Sequence, residues 1–206
     1  MDQPVYIVMG LGNPGPDFEE TRHNAGFRIV RALATELGLR FSKPFLHKVL
    51  IASCPLERLS LLPEANGMVF GKGTLLFVLP LTYMNNSGDI LPWLIRRYAK
   101  GKELPPPLVL VDQMDLAPGN LRIKKKGGTA GHNGLKSVHA ILDDTFYPLY
   151  IGIGRPAPGF SVVDWVLGIP DLDDKRAFAL ITRKAFKALC CLYTAGIDVA
   201  MQVTNS

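Results

Sequence analysis

Two residues of this sequence stand where acid–base chemistry is possible. His23 lies in a polar, glycine-flanked stretch, Thr21-Arg22-His23-Asn24, just before a run with helical spacing. A neutral imidazole titrates near physiological pH and can take a proton from water. A lone histidine is more often structural than catalytic, but the loop setting favours function here. Such a base needs a second group to fix its tautomer, usually a carboxylate on the other ring nitrogen. Asp112 directly follows the most apolar run, Leu108-Val109-Leu110-Val111, and is the best candidate for that group. Asp112 could instead cap a turn within 112–119, where Asp115 would serve equally well, so spacing alone leaves the choice open. No other histidine has an evident partner.

Around this pair stand three asparagines, Asn13, Asn85 and Asn133, in NPG, MNNSG and HNGL contexts. Asparagine beside glycine is common in plain turns. An amide also offers donors and an acceptor without charge, and so can hold a peptide or a ribose without perturbing a base. Lys124-Lys125-Lys126 reads either as a solvated strand end or as a phosphate contact, which Arg96, Arg97, Lys100 and Lys102 would extend. Phe18 and Tyr83 lie in the same loops and could stack on a base or ribose, although an isolated Phe is more often core.

The elements that must position these residues alternate. Val5–Met9 reads as a buried strand, and GLGNPG (10–15) breaks it. A helix spans 24–38. Strands follow at Val49–Ala52 and Leu75–Leu79, with a hairpin or loop excursion at the sheet edge over 55–73. Ser87 or Asn86 caps a helix running to about Lys100, with Pro92 in its first turn. The run 108–111 fits a central strand covered on both faces. A short strand (121–124), a glycine-rich loop (127–134), a helix (135–142) and a strand (150–153) come next. Val162–Leu167 is short and extended or helical. A helix over 171–200 opens on an Asp-rich segment suited to a helix N-terminus. The fold expected is α/β, a single domain over 1–206 with a twisted, mixed, mostly parallel sheet and helices on both faces. In such sheets the loops at the strands' carboxyl ends form the site. Asn13, Asn85, Asp112 and the His132-Asn133 pair come from those loops or beside them, so they are expected to converge.

The 206 residues are 48% hydrophobic, enough for one core. Apolar runs stop well short of a membrane span, and Met1 to Pro4 carry no basic leader. Three cysteines, two of them adjacent, give neither a disulfide framework nor zinc spacing; Cys190 and Cys191 are expected on a helix, one of them packed inward. A reducing cytoplasm fits best. A net charge of +5 and a pI near 9.2 permit nucleic-acid binding without requiring it. No HExxH or CxxC spacing points to a metal, GLGNPG is not a dinucleotide fingerprint, and no GxSxG elbow is present. No cofactor is expected.

Six blocks, GLGNPG (10–15), TRHNAG (21–26), YMNNSG (83–88), VDQMDLAPG (111–119), GHNGL (131–135) and IGIGRP (151–156), stand in an order that resembles bacterial-type peptidyl-tRNA hydrolase over nearly the whole chain. The resemblance implies a cytoplasmic monomer, needing no cofactor, that hydrolyses the ester between a peptide and the 3′-terminal ribose of tRNA. It implies that His23 is the general base and that Asp112 holds it in its basic form. Asn13 would discriminate peptidyl-tRNA from free aminoacyl-tRNA. Asn85, Asn133, Phe18 and Tyr83 would contact the peptide or terminal adenosine. Lys124 matches the family's tRNA-binding surface, and Lys126 adjoins it, so the partner is peptidyl-tRNA held by its acceptor arm and 3′ end. Phe18 stands where tyrosine is usual, Gln113 where glutamate is common, Thr129-Ala130 where His-Gly is typical, and Tyr150 where a basic residue often assists binding. Residues 55–73 are longer than usual for the family. The alternative reading is a non-enzymatic RNA-binding protein on the same fold.

Overall fold

The structure, a computed structural model, describes residues 3–126 and 128–205. Gly127, which opens the glycine-rich loop, and Met1 and Asp2, the start of the segment judged for a leader, lie outside the described residues.

Alternation of apolar side chains builds a sheet with two covered faces. The strands are β1 (Val5–Gly10), β2 (Val49–Pro55), β3 (Thr74–Pro80), β4 (Leu108–Gln113), β5 (Leu121–Ile123) and β6 (Tyr147–Gly152), in the order β2-β3-β1-β4-β6-β5. The central four run parallel, and β2 and β5 pair antiparallel at the two edges. Strand side chains alternate between faces. Val8, Leu75, Phe77, Leu79, Leu108 and Leu110 therefore join one core layer, and Ile7, Met9, Leu76, Val78, Val109 and Val111 join the other. Helices α1 (Ala25–Glu36), α5 (Leu172–Ala195) and α6 (Ile197–Asn205) contribute to the first layer, and α2 (Leu91–Tyr98) and α3 (Asn133–Leu142) to the second. The six-residue α4 (Val162–Leu167) buries none of its own residues.

Four expectations need correction. Of the two readings of residues 55–73, the hairpin does not form, and the segment is an excursion between the edge strand β2 and β3. Leu56, Leu59, Leu62 and Ala65 are buried at intervals of three, the repeat of a 3-10 helix, and two 3-10 turns (Leu56–Leu61 and Pro63–Ala65) fold that stripe onto the core. Neither Ser87 nor Asn86 caps α2. Met84–Ile90 is itself a 3-10 segment pressed on α3, with Ser87 Oγ bonded to the Met84 carbonyl and the Gly88 N–H donating to Ser137 Oγ at 2.9 Å. The last helix is broken at Gly196, whose φ of +86° ends α5 before α6 begins. Cys190 and Cys191 are both buried rather than one; α5 lies between the sheet and other elements along this turn, so neither neighbour faces water.

Two glycines set the position of the site. A Cβ on Gly26 would stand 2.3 Å from the Leu110 carbonyl oxygen, and one on Gly10 would stand 2.6 Å from the Gly26 oxygen. Without side chains there, the first turn of α1 lies directly on β1 and β4. The Phe27 N–H donates to the Leu11 carbonyl at 3.2 Å and the Leu11 N–H to the Leu110 carbonyl at 2.9 Å. The turn preceding α1 is thereby carried to the carboxyl end of β4.

Candidate active site

His23 occupies the middle of a 3-10 turn, Arg22–Asn24, at the start of α1. Asp112 is the penultimate residue of β4. The His23 Nδ1 lies 2.9 and 3.0 Å from the two Asp112 carboxylate oxygens. The pairing expected from the sequence is thus formed, and Asp115 is engaged elsewhere, accepting from Arg155 Nε at 2.8 Å. Burial alone would raise the Asp112 carboxyl. The imidazoles of His132 and His23, through charge and N–H donation, outweigh it and hold the group well below the usual carboxylate range. Burial likewise disfavours the His23 cation, but the Asp112 charge and hydrogen bond prevail, so its pKa lies above the ordinary 6.5.

A second histidine has a partner, contrary to expectation. His132 Nε2 lies 3.0 Å from Asp112 Oδ1, while its Nδ1 accepts the Gly134 and Leu135 backbone N–H groups at 3.1 and 3.3 Å as the cap of α3. An atom accepting from a backbone N–H carries no proton, so Nε2 is the protonated nitrogen of His132. Both of its nitrogens are engaged. An ionised carboxylate only accepts, so His23 holds its own proton on Nδ1, and its Nε2 has a lone pair with no partner among the described residues. The signal for the His132 role was available: a histidine immediately before a helix start, in a loop expected to converge with Asp112. The three side chains could also offer a metal three ligand atoms, though the same atoms here make the hydrogen bonds just described.

These residues open on a cleft of about 440 Å³, lined by Asn13, His23, Asp112, Gln113, His132 and Asn133 on the polar side. The facing wall is apolar: Val162, Val163, Val166 and Leu167 of α4. Asn13 is fixed on both its backbone and side chain. Its N–H and carbonyl bond the Asn24 amide at 2.8 and 3.0 Å, and its Oδ1 accepts the Met84 N–H at 2.8 Å. It therefore offers a ligand only the donors of Nδ2. Asn133 is exposed at the first turn of α3, with Lys136 Nζ 3.4 Å from its Oδ1.

Other candidates do not line this cleft. Tyr83 and Asn85 are exposed on either side of Met84, and Phe18 is half-buried in the turn after Gly15. Lys124 and Lys126 are exposed, and Lys125 pairs with Asp198 at 2.7 Å. Lys124 Nζ stands 5.6 Å from the ring centre of Tyr150, whose hydroxyl donates to the Gly128 carbonyl at 3.1 Å. A second hollow, about 260 Å³, includes Arg122, Lys124 and Tyr150 and shares Gln113 and Ala130 with the cleft.

A family model described as peptidyl-tRNA hydrolase matches residues 7–206. The chain belongs to the peptidyl-tRNA hydrolase family. Its relatives include the peptidyl-tRNA hydrolase of Moorella thermoacetica, 43% identical over 98% of each chain. That of Symbiobacterium thermophilum is 40% identical over 97% of this chain and 98% of its own. The crystal structure of peptidyl-tRNA hydrolase from Acinetobacter baumannii superposes with a TM-score of 0.80 at 30% identity, covering 99% of this chain and 94% of that one. The mixed six-stranded sheet is therefore the hydrolase fold. Among the described residues no helix is long and apolar enough to cross a membrane.

Proposed function

We propose that His23 is the general base with which this peptidyl-tRNA hydrolase cleaves the ester between peptide and tRNA, and that Asp112 holds it in the tautomer the reaction needs. The carrying observation is the Nδ1 contact to Asp112 at 2.9 Å with Nε2 left open at the cleft. Nε2 takes a proton from water, and the hydroxide attacks the ester carbonyl carbon. The carbonyl electrons move onto oxygen, then return as the bond to the 3′ oxygen of tRNA breaks. That oxygen takes the proton from Nε2, leaving a free tRNA hydroxyl and a peptide carboxylic acid, which releases its proton to solvent. His132 donates to the same carboxylate as His23 and helps to hold it ionised.

Asn13 and Asn133 provide the amide donors beside the base. Donors suit a developing oxyanion and also the carbonyl of an N-acylated residue. A free α-ammonium has only donors, so Nδ2 of Asn13 meets no acceptor there. This accounts chemically for discrimination against free aminoacyl-tRNA. Lys124 and Lys126 contact acceptor-arm phosphates, and the hollow between Arg122 and Tyr150 continues the path from the cleft. Tyr83, Asn85 and Phe18 meet the 3′ end outside the cleft proper.

The test is release of tRNA from N-acetylaminoacyl-tRNA and from free aminoacyl-tRNA by the purified protein. Turnover of the first well above the second is expected, and Asn13→Ala narrows the gap. Binding of both without release would move the chain to the non-enzymatic RNA-binding reading.

A further inference from the structure

The apolar wall of the cleft rests on the core only through the partly buried Trp165 and Val166. A helix of six residues does not persist by itself, and α4 buries none of its side chains. Its position depends on a few ties, and most of them converge on Arg22, the residue before His23. The Arg22 N–H donates to the Gly168 carbonyl at 3.1 Å, at the end of α4. Its guanidinium lies over the Trp165 ring at 3.8 Å, bonds the Ile169 carbonyl at 3.3 Å, and pairs with Asp174 in the first turn of α5 at 2.9 Å. Gly168 leaves room for this: a Cβ there would stand 3.2 Å from the guanidinium. The side chain is 8% exposed, and it does not line the cleft. Trp165 Nε1 also donates to the Gly154 carbonyl at 2.9 Å, and Trp165 and Val166 pack part of their surface against the core.

We propose that Arg22 is a positioning residue that registers α4 against His23 and thereby sets how well the enzyme takes esters whose terminal residue has an apolar side chain. The inference rests on the reading of the cleft as the ester site. The side chain of the ester-linked residue branches one atom from the reacting carbonyl. With that carbonyl beside His23, an apolar side chain meets the wall of Val162, Val163, Val166 and Leu167, whereas glycine presents nothing to it. Val162 and Val163 are exposed in the free protein and nothing in the described chain covers them, so contact with an apolar side chain removes that surface from water. A stacked, forked guanidinium is not replaced by an ammonium, so even a charge-conserving change loosens the register.

The experiment compares N-acetylleucyl-tRNA with N-acetylglycyl-tRNA for the unaltered protein and for Arg22→Lys, Trp165→Leu and Asp174→Asn. Trp165→Leu and Asp174→Asn alter half-buried partners and keep the test available if Arg22→Lys fails to fold. Arg22→Lys and Trp165→Leu are expected to lose about tenfold in kcat/KM on the leucyl ester, mainly through KM, the scale of a small apolar contact in a pocket. Losses on the glycyl ester stay within about twofold, and the pH midpoint of kcat/KM does not move. Asp174→Asn follows the same pattern to a smaller extent. Equal losses on both esters, or a shifted midpoint, would overturn the inference while leaving the site reading in place. No turnover of either ester by the unaltered protein would overturn both.

Discussion

His23 and His132 share one carboxylate oxygen, Oδ1 of Asp112, but present opposite ring nitrogens to it: Nδ1 at 2.9 Å from the first and Nε2 at 3.0 Å from the second. The consequence is a division of roles between two imidazoles whose centres are 5.0 Å apart. His132 has its other nitrogen closed by the start of α3, and His23 has its other nitrogen open. One histidine has both nitrogens engaged; the other leaves Nε2 without a partner among the described residues.

The pH dependence of kcat/KM follows from this pair. The His23 pKa is raised above 6.5, and only its neutral form can accept a proton. Activity should therefore rise with pH through a midpoint above 6.5 and then level. Asp112→Asn removes the charge that raises the pKa, so the midpoint should move to lower pH. The plateau should fall steeply; the same swap in a serine protease triad costs about 10⁴. A midpoint unmoved by Asp112→Asn would mean that another group titrates.

Lys124 and Lys126 should act on the tRNA body and not on the ester. Each phosphate contact contributes a log–log salt slope of about 0.7–0.9. Lys124→Ala with Lys126→Ala should flatten the slope and raise KM for whole tRNA, with little effect on a short substrate carrying the peptidyl ester and terminal nucleotide. A salt series on both substrates measures it. Equal losses on the two would place the tRNA-binding cations elsewhere, first at Arg96 and Arg97.

The segment 55–73 should be part of the core. Leu59 is fully buried within it, so Leu59→Ala should destabilise the protein by about 2–5 kcal/mol through a cavity. Urea unfolding provides the measurement. A change below about 0.5 kcal/mol, as for an ordinary surface position, would show that the segment is not packed as described.

What was legible in the sequence was mostly what depends on local pattern. The continuous apolar runs of β1, β3 and β4 announce strands covered on both faces, and the apolar run before Asp112 places that carboxylate at a buried strand end. The 3-10 stripe of Leu56, Leu59, Leu62 and Ala65 was equally periodic, but Pro55, Pro63 and Gly67 obscured it, and a spacing of three is rarely sustained. The α2 start was missed because Ser87 has a capping residue's chemistry but is consumed by packing on α3, a tertiary matter. His132 was missed as a partner of Asp112 because 20 residues and a glycine-rich loop separate them in sequence. Nothing local in Arg22 says that its guanidinium reaches residues about 150 positions away.

If the open nitrogen of His23 performs the proton transfer, removing it must stop turnover while sparing the fold. The most direct measurement is turnover of N-acetylaminoacyl-tRNA by His23→Ala, alongside its affinity for the same substrate and its melting temperature. Turnover should fall by a factor of at least about 10², the low end of general-base contributions, with binding and melting close to those of the unaltered protein. Near-normal turnover by a folded, tRNA-binding His23→Ala protein would contradict that role.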